Sequence, residues 1–269
     1  MMYKILALDL DGTLTNNKKE ITPYTLEVLI QAQQKGLRLV LASGRPLAGI
    51  NHLAEQLHLK EYGGYILAFN GGLIIDCATE KPIYQKLLDT SVYKHLYDVG
   101  NTKDFRLFSY LDDCIACEDI ENKYVQYVAH INKMGLRKLS SFLDEINFPE
   151  YKCLIAGNKE KLAVLEKELT KYYEGKASIY RSEPFLLEVL PLGIDKAKRL
   201  DFLLNYLDIK REELMVCGDG YNDISMIEYA GLGVAMSNAQ AVVKEAADYI
   251  TLSNEEDGVA AAVKKFIDL

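Results

Sequence analysis

Residues 9–14 read Asp-Leu-Asp-Gly-Thr-Leu directly behind the apolar run Ile5-Leu6-Ala7-Leu8, and this junction limits what the chain can become. A short apolar run bounded by polar residues reads as a strand buried on both faces, the kind found in parallel sheets. Ligands of open α/β sheets bind beyond the carboxyl ends of such strands. Extended side chains alternate in direction, so Asp9 and Asp11 converge on one site only if the backbone turns after Asp9. Gly12 permits that turn, and oxygen atoms gathered there suit a hard cation such as Mg²⁺. Alone, the segment also reads as a strand ending in an ordinary Asp-Gly turn. A second segment decides against that reading. Residues 214–223, Leu-Met-Val-Cys-Gly-Asp-Gly-Tyr-Asn-Asp, form another apolar strand that ends in carboxylates, Asp219 and Asp223.

Between and around these strand ends the chain alternates strand and helix. Thr22-Pro23 opens a helix by capping and a proline in its first turn, and Gly36 closes it. Leu37–Ala42 is the next strand, a helix runs from Pro46 to about Leu59, and strands Tyr65–Phe69 and Leu73–Asp76 flank Asn70-Gly71-Gly72. The same grammar returns after residue 188, with a helix over Lys196–Leu207, strands at Leu214–Cys217 and Leu232–Ala235, and a last helix near the end. This pattern predicts a doubly wound parallel sheet. The stretch between is different: adjacent strands Phe105–Tyr110 and Cys114–Cys117 joined by an acidic turn, a helix over 120–133, then strand 151–156, helix 158–173 and two further strands. It predicts an inserted α+β domain over 85–187, with the parallel-sheet domain made of 1–84 and 188–269.

Two positions carry a chemical argument of their own. Asp195 reads as a helix N-cap, which puts Lys196 in the first turn, where the helix dipole disfavours a cation by about 0.3–1 kcal/mol. A lysine there makes sense if an anion binds at the same helix end. Ser43-Gly44-Arg45 stands at another strand-to-helix junction. The Ser43 hydroxyl and the amides after it can donate to phosphate oxygens, and Gly44 allows close approach. Arg45 has two readings, a clamp on phosphate or leaving group and a salt bridge to the acidic cluster.

Asp9-Leu10-Asp11-Gly12-Thr13-Leu14, Leu41-Ala42-Ser43-Gly44-Arg45, Lys196 and Gly218-Asp219-Gly220-Tyr221-Asn222-Asp223 stand in the order of the four motifs of the haloacid dehalogenase-like (HAD) hydrolase superfamily, which the whole chain resembles. The insertion resembles the type IIB cap of its Cof-like phosphatases. The resemblance implies Asp9 as nucleophile forming an aspartyl-phosphate, and Asp11 as general acid and base. It implies Mg²⁺ held by Asp9, the main-chain carbonyl of Asp11 and Asp219, with Asp223 orienting that shell. It further implies Leu10, Ser43, Gly44, Arg45, Lys196 and Asn222 around the substrate phosphate. Ser43 stands where this subgroup often has Thr, and Ala197 where Gly is frequent; neither change removes a catalytic group. The implied activity is hydrolysis of small phosphate esters, sugar phosphates first and nucleotides or flavin phosphate after them. A phosphomutase on the same scaffold and a non-catalytic phosphate-sugar binder are the alternatives.

Composition narrows the partners. A net charge of −8 over 269 residues argues against nucleic acid and anionic membranes. No apolar run reaches membrane-spanning length, and a removable leader would take Asp9 with it, so a cytoplasmic protein is expected, as a monomer or weak homo-oligomer. Five cysteines fit a reducing compartment. Cys114 and Cys117 have a CxxC spacing, but on a strand that spacing puts the sulfurs on opposite faces, against a thiol pair.

Overall fold

The structure, a computed structural model, describes residues 2–111 and 113–269. The chain opens with β1 (Ile5–Leu8), α1 (Pro23–Gln34), β2 (Arg38–Ala42), α2 (Ala48–Gln56), α3 (Leu59–Tyr62), β3 (Tyr65–Ala68), β4 (Leu73–Asp76) and β5 (Lys81–Gln85). It continues through α4 (Tyr93–Gly100), β6 (Phe105–Leu111), β7 (Cys114–Cys117), α5 (Lys123–Asn132), β8 (Gly135–Lys138), α6 (Phe142–Glu145), β9 (Cys153–Gly157), α7 (Lys159–Tyr172), β10 (Ala177–Glu183) and β11 (Leu186–Pro191). It ends with α8 (Lys196–Leu207), β12 (Leu214–Gly218), α9 (Ile224–Tyr229), β13 (Leu232–Ala235), α10 (Ala241–Glu245), β14 (Tyr249–Ile250) and α11 (Gly258–Phe266). Two compact units result, one of the residues up to Gln85 with Asp195–Leu269, the other of Lys86–Ile194.

The first unit holds an eight-stranded sheet in the order β14-β13-β12-β1-β2-β3-β4-β5. From β14 to β3 the pairings are parallel, and β4 and β5 close one edge antiparallel. Every residue of β1 and β12 is buried, as strands with neighbours on both sides require. Leu8 is paired with Cys217 and with Leu41, so the three segments that follow, carrying Asp9, Asp219 and Ser43, leave the sheet together at its carboxyl edge. The Asp9 amide donates to the Cys217 carbonyl at 3.0 Å, holding the turn against β12. Leu200, Leu203 and Leu204 of α8 recur at helical spacing and pack on Val40, Leu67 and Val216, which fixes the start of α8 near the same edge. Thr22 caps α1 by accepting from the Thr25 amide at 3.1 Å, with Pro23 as the first helical residue. The helix expected from Pro46 to Leu59 is divided: α2 stops at Gln56, and His58 takes a left-handed backbone, φ 53°, before α3.

The second unit holds a six-stranded sheet, β10-β11-β9-β6-β7-β8, antiparallel except for β7 with β8. Leu96, Phe142, Leu162 and Leu169 of its helices pack with Leu107, Ile155 and Val189 of the strands. The sequence places the return to the first domain at residue 188, whereas the two units divide between Ile194 and Asp195. The reason is β11, which lies between β10 and β9 and stays paired as far as Pro191. Both cysteines of β7 are free thiols, and Cys117 donates to the carbonyls of Leu107 and Asp119. The acidic turn before β7 includes residue 112, which lies outside the described residues. Among the described residues, no helix is long and apolar enough to cross a membrane.

Candidate active site

At the centre of the sheet edge stands a buried ammonium between two carboxylates. Lys196 Nζ donates to Asp9 Oδ1 at 2.7 Å and to Asp223 Oδ1 at 2.6 Å. All three side chains are buried. Asp195 caps α8 by accepting from the Lys198 amide at 2.9 Å, and its other oxygen takes the Ser225 hydroxyl at 2.7 Å, so the helix start that delivers Lys196 is anchored twice. The anion that a first-turn lysine calls for is present, as two carboxylates of this chain. Both hold the ammonium charged and push its pKa up despite the opposing effect of burial.

Asp223 Oδ2 accepts from the amides of Asp219 and Gly220 at 3.1 and 2.9 Å, which shapes the turn after β12. Asp219 Oδ1 in turn accepts from the Thr13 hydroxyl at 2.8 Å, tying that turn to the one after β1. Gly12 sits between them with φ 85°, and a side chain there would run into the Asp219 carboxylate. Its carbonyl accepts from Asn238 Nδ2 at 2.8 Å. Leu10 is buried, and its carbonyl receives the Thr15 amide and hydroxyl, each at 2.9 Å.

Oxygen atoms from Asp9, Asp219 and Asp223 lie within 4.8 Å of one another. Burial raises the Asp9 pKa well above the ordinary carboxyl range, and the charges of Asp223 and Asp219 add to it beyond what Lys196 removes. Burial likewise lifts Asp219 to about 6, partly opposed by the Thr13 hydroxyl. Three carboxylates against one ammonium leave excess negative charge in a buried, all-oxygen setting. Such a donor set fits a hard divalent cation, which would favour the ionised form of each acid.

A pH-dependent stability follows. A native pKa above the unfolded one means that the folded chain keeps a proton which the unfolded chain has lost. In EDTA, stability contributed by Asp219 is therefore expected to fall as pH rises from its ordinary 3.8 through about 6. Mg²⁺ should remove that slope and raise Tm most at neutral pH; melting curves at several pH values, with and without the cation, check both. A Tm unaffected by Mg²⁺ at pH near 7 contradicts a cation at these acids.

Asp11 faces a different set of partners. Arg45 grips both of its oxygens, Nε to Oδ2 at 2.7 Å and Nη2 to Oδ1 at 2.6 Å, and Lys19 Nζ meets Oδ1 at 2.6 Å. Burial raises its pKa, but the two cations outweigh that and hold the carboxyl below its ordinary value. Of the two readings of Arg45, the structure realises the salt bridge to an acid. Its own amide donates to Ser43 Oγ at 3.1 Å, and Nη1 reaches the Gly49 carbonyl at 3.3 Å.

Asn222 donates from Nδ2 to Asn70 Oδ1 at 3.1 Å. Asn70, at φ 55°, gives its amide to the Ser43 carbonyl at 2.9 Å, and its side chain lies where a Cβ on Gly44 would project. Asn70 thus links the turns after β2 and β12. In sequence it stands only in the stretch between the strands Tyr65–Phe69 and Leu73–Asp76. Thr13, Asn238 and Lys19 are not among the site residues read from the sequence, although Thr13 lies inside the first motif.

A family profile described as haloacid dehalogenase-like hydrolase matches residues 6–263. The chain belongs to that family. It is 33% identical over 264 residues to the 5-amino-6-(5-phospho-D-ribitylamino)uracil phosphatase YcsE of Bacillus subtilis, covering 98% of this chain and 96% of that protein. A haloacid dehalogenase-like hydrolase from Bacteroides thetaiotaomicron superposes with a TM-score of 0.96 at 49% identity, over 98% of this chain and 100% of the other. The HAD subclass IIB sugar phosphatase BT4131 superposes at 0.81 with 30% identity, covering 98% of each chain. The chain is accordingly an enzyme of the HAD phosphatase type, with a doubly wound core and an inserted α+β domain.

Proposed function

We propose that the chain hydrolyses small phosphate monoesters, sugar phosphates foremost, in two displacements at Asp9. The observation that carries this reading is the buried Asp9 carboxylate, held by Lys196 among further acids at the sheet edge where a HAD nucleophile belongs. A phosphate monoester is inert chiefly because an anionic nucleophile must approach an anionic group. Lys196 fixes Asp9 Oδ1, leaving its other oxygen to attack phosphorus as the ester P–O bond breaks. The leaving oxygen takes its proton from Asp11, which first gains one from solvent as the bound phosphate draws Arg45 and Lys19 off its carboxylate, and which then takes one from the water that cleaves the aspartyl-phosphate and regenerates Asp9.

The phosphoryl oxygens are held by the Leu10 and Gly44 amides, the Ser43 hydroxyl, Asn222 and Lys196. Arg45, forked on both oxygens of Asp11, holds that acid and stands ready to clamp the phosphate or the leaving group. Asp9, Asp219 and the Asp11 carbonyl would hold Mg²⁺, oriented by Asp223, and the ion would offset charge between nucleophile and phosphate. A small anionic metabolite is then the partner, and the chain's −8 charge fits neither nucleic acid nor an anionic membrane surface. The relation to a subclass IIB sugar phosphatase puts sugar phosphates first.

Phosphate release from hexose and pentose phosphates, nucleoside monophosphates and flavin mononucleotide, with Mg²⁺ and with EDTA, tests the reading. Turnover of one or a few sugar phosphates that stops in EDTA is expected. Conversion of a sugar phosphate to its isomer without free phosphate would instead establish a mutase, and no reaction with any ester would favour a binding protein.

A further inference from the structure

Three consecutive residues after β3 have a left-handed backbone: Phe69 at φ 53°, Asn70 at 55° and Gly71 at 100°. Glycine adopts it freely and asparagine tolerates it, but a phenylalanine does so only when neighbours impose it. Phe69 is buried. Its amide donates to the Arg45 carbonyl at 3.0 Å, and the Asn70 amide to the Ser43 carbonyl at 2.9 Å, so this turn is bound to the one after β2. On its other side, a Cβ on Gly71 would run into the Arg199 side chain and the Asp195 carbonyl at the start of α8. The conformation is therefore set by contacts from two directions, and strain held this way collects at functional sites.

What the turn delivers is the Asn70 carboxamide. Its Oδ1 accepts from Asn222 Nδ2 at 3.1 Å. Asn222 is exposed, and among the described residues Asn70 is the only side chain that hydrogen-bonds its carboxamide. The tolerance of asparagine for a left-handed backbone accounts for the residue type, not for the direction of its side chain. A hydrogen bond between amides open to water adds little to stability, since water can replace either partner. Its consequence is geometric: without Asn70, the Asn222 side chain is free to turn its donors in several directions.

We propose that Asn70 is a positioning residue that orients Asn222 for phosphate. One Nδ2 hydrogen of Asn222 stays on Asn70 Oδ1, which directs the other at a phosphoryl oxygen of the substrate. This rests on the hydrolase reading, in which Asn222 is one of the phosphate donors. A donor fixed in advance binds more tightly than one that has to be ordered as the anion arrives.

Inorganic phosphate in the presence of Mg²⁺ is the probe, with its Kd measured by calorimetric titration. Asn70→Gly keeps the left-handed backbone without strain, whereas Asn70→Ala strains it, and both remove the acceptor. Each should weaken phosphate by the same factor, about three- to tenfold, although Asn70→Ala melts at a lower temperature. Asn222→Ala alone should weaken phosphate at least as much, and adding either change at residue 70 should then weaken it no further. Losses that multiply in the double variants, losses that follow Tm, or no loss in Asn70→Gly overturn the role of Asn70. Full phosphate affinity in Asn222→Ala overturns it too, while ester hydrolysis by the unaltered chain leaves the hydrolase reading standing. If the unaltered chain neither binds phosphate nor releases it from any ester, the hydrolase reading and this inference fail together.

Discussion

Asp9→Asn is expected to lower kcat by about 10⁴-fold or more, the scale of losing a covalent nucleophile. The substitution is nearly isosteric, and the amide oxygen can still accept from Lys196, which now donates to Asp9 Oδ1. What disappears is the nucleophilic oxygen. Stability should move the other way. Burial and two neighbouring acids disfavour an ionised Asp9 in the absence of metal, so a neutral amide removes an unfavourable charge. An inactive variant with a Tm in EDTA equal to or above that of the unaltered chain is therefore the expected pair of results, a common trade between activity and stability. Residual activity within about tenfold of normal would exclude Asp9 as the nucleophile.

Lys196→Met has the largest expected effect on the fold. Methionine matches the lysine stem in length and flexibility, so packing is largely kept while the ammonium is lost. Asp9 and Asp223 would then face each other with nothing between them, since both now depend on one buried Nζ. Breaking a buried pair by removing one partner costs about 3–5 kcal/mol. The native lysine pKa is raised above 10.5, so its stabilisation is complete throughout the neutral range and ends only in strong alkali. In the variant the balance shifts to the acids. One carboxyl takes up a proton as pH falls, which relieves the repulsion. Urea unfolding should show a loss near the top of that range at pH 8 and a smaller one at pH 5. Lys196→Met combined with Asp223→Asn should recover part of the difference. A small, pH-independent loss would mean that water or another group compensates the acids.

The parts of this molecule that were legible in sequence are those where local chemistry is self-explanatory. β1 and β12 are short apolar runs ending in acids, Thr22-Pro23 announces α1, and Asp195 announces α8. Strands whose side chains carry no such pattern escaped. β5 is a mostly exposed edge strand containing Pro82, and β8 is a polar strand at the edge of the second sheet, so neither alternates as a half-buried strand should. The short helix α4 also escaped. Sequence could place Arg45 near phosphate or near acid, because both anions attract the same guanidinium; its fork on Asp11 joins two segments far apart in the chain, which no local pattern signals. Lys19 lies in a run of polar residues that reads as a solvated loop, and nothing in composition signals that its backbone turns left-handed and aims the ammonium at Asp11. Asn70 is similar: its tie to Ser43 and Asn222 depends on three turns meeting in space.

The stereochemical course at phosphorus tests the central claim most directly. Hydrolysis of a sugar phosphate made chiral with oxygen isotopes, followed by analysis of the phosphate released into isotopically labelled water, counts the displacements. Attack by Asp9 and then by water inverts phosphorus twice, so net retention is predicted. Net inversion, in an enzyme turning over normally, would mean that water attacks the ester in one step and that Asp9 is not the nucleophile.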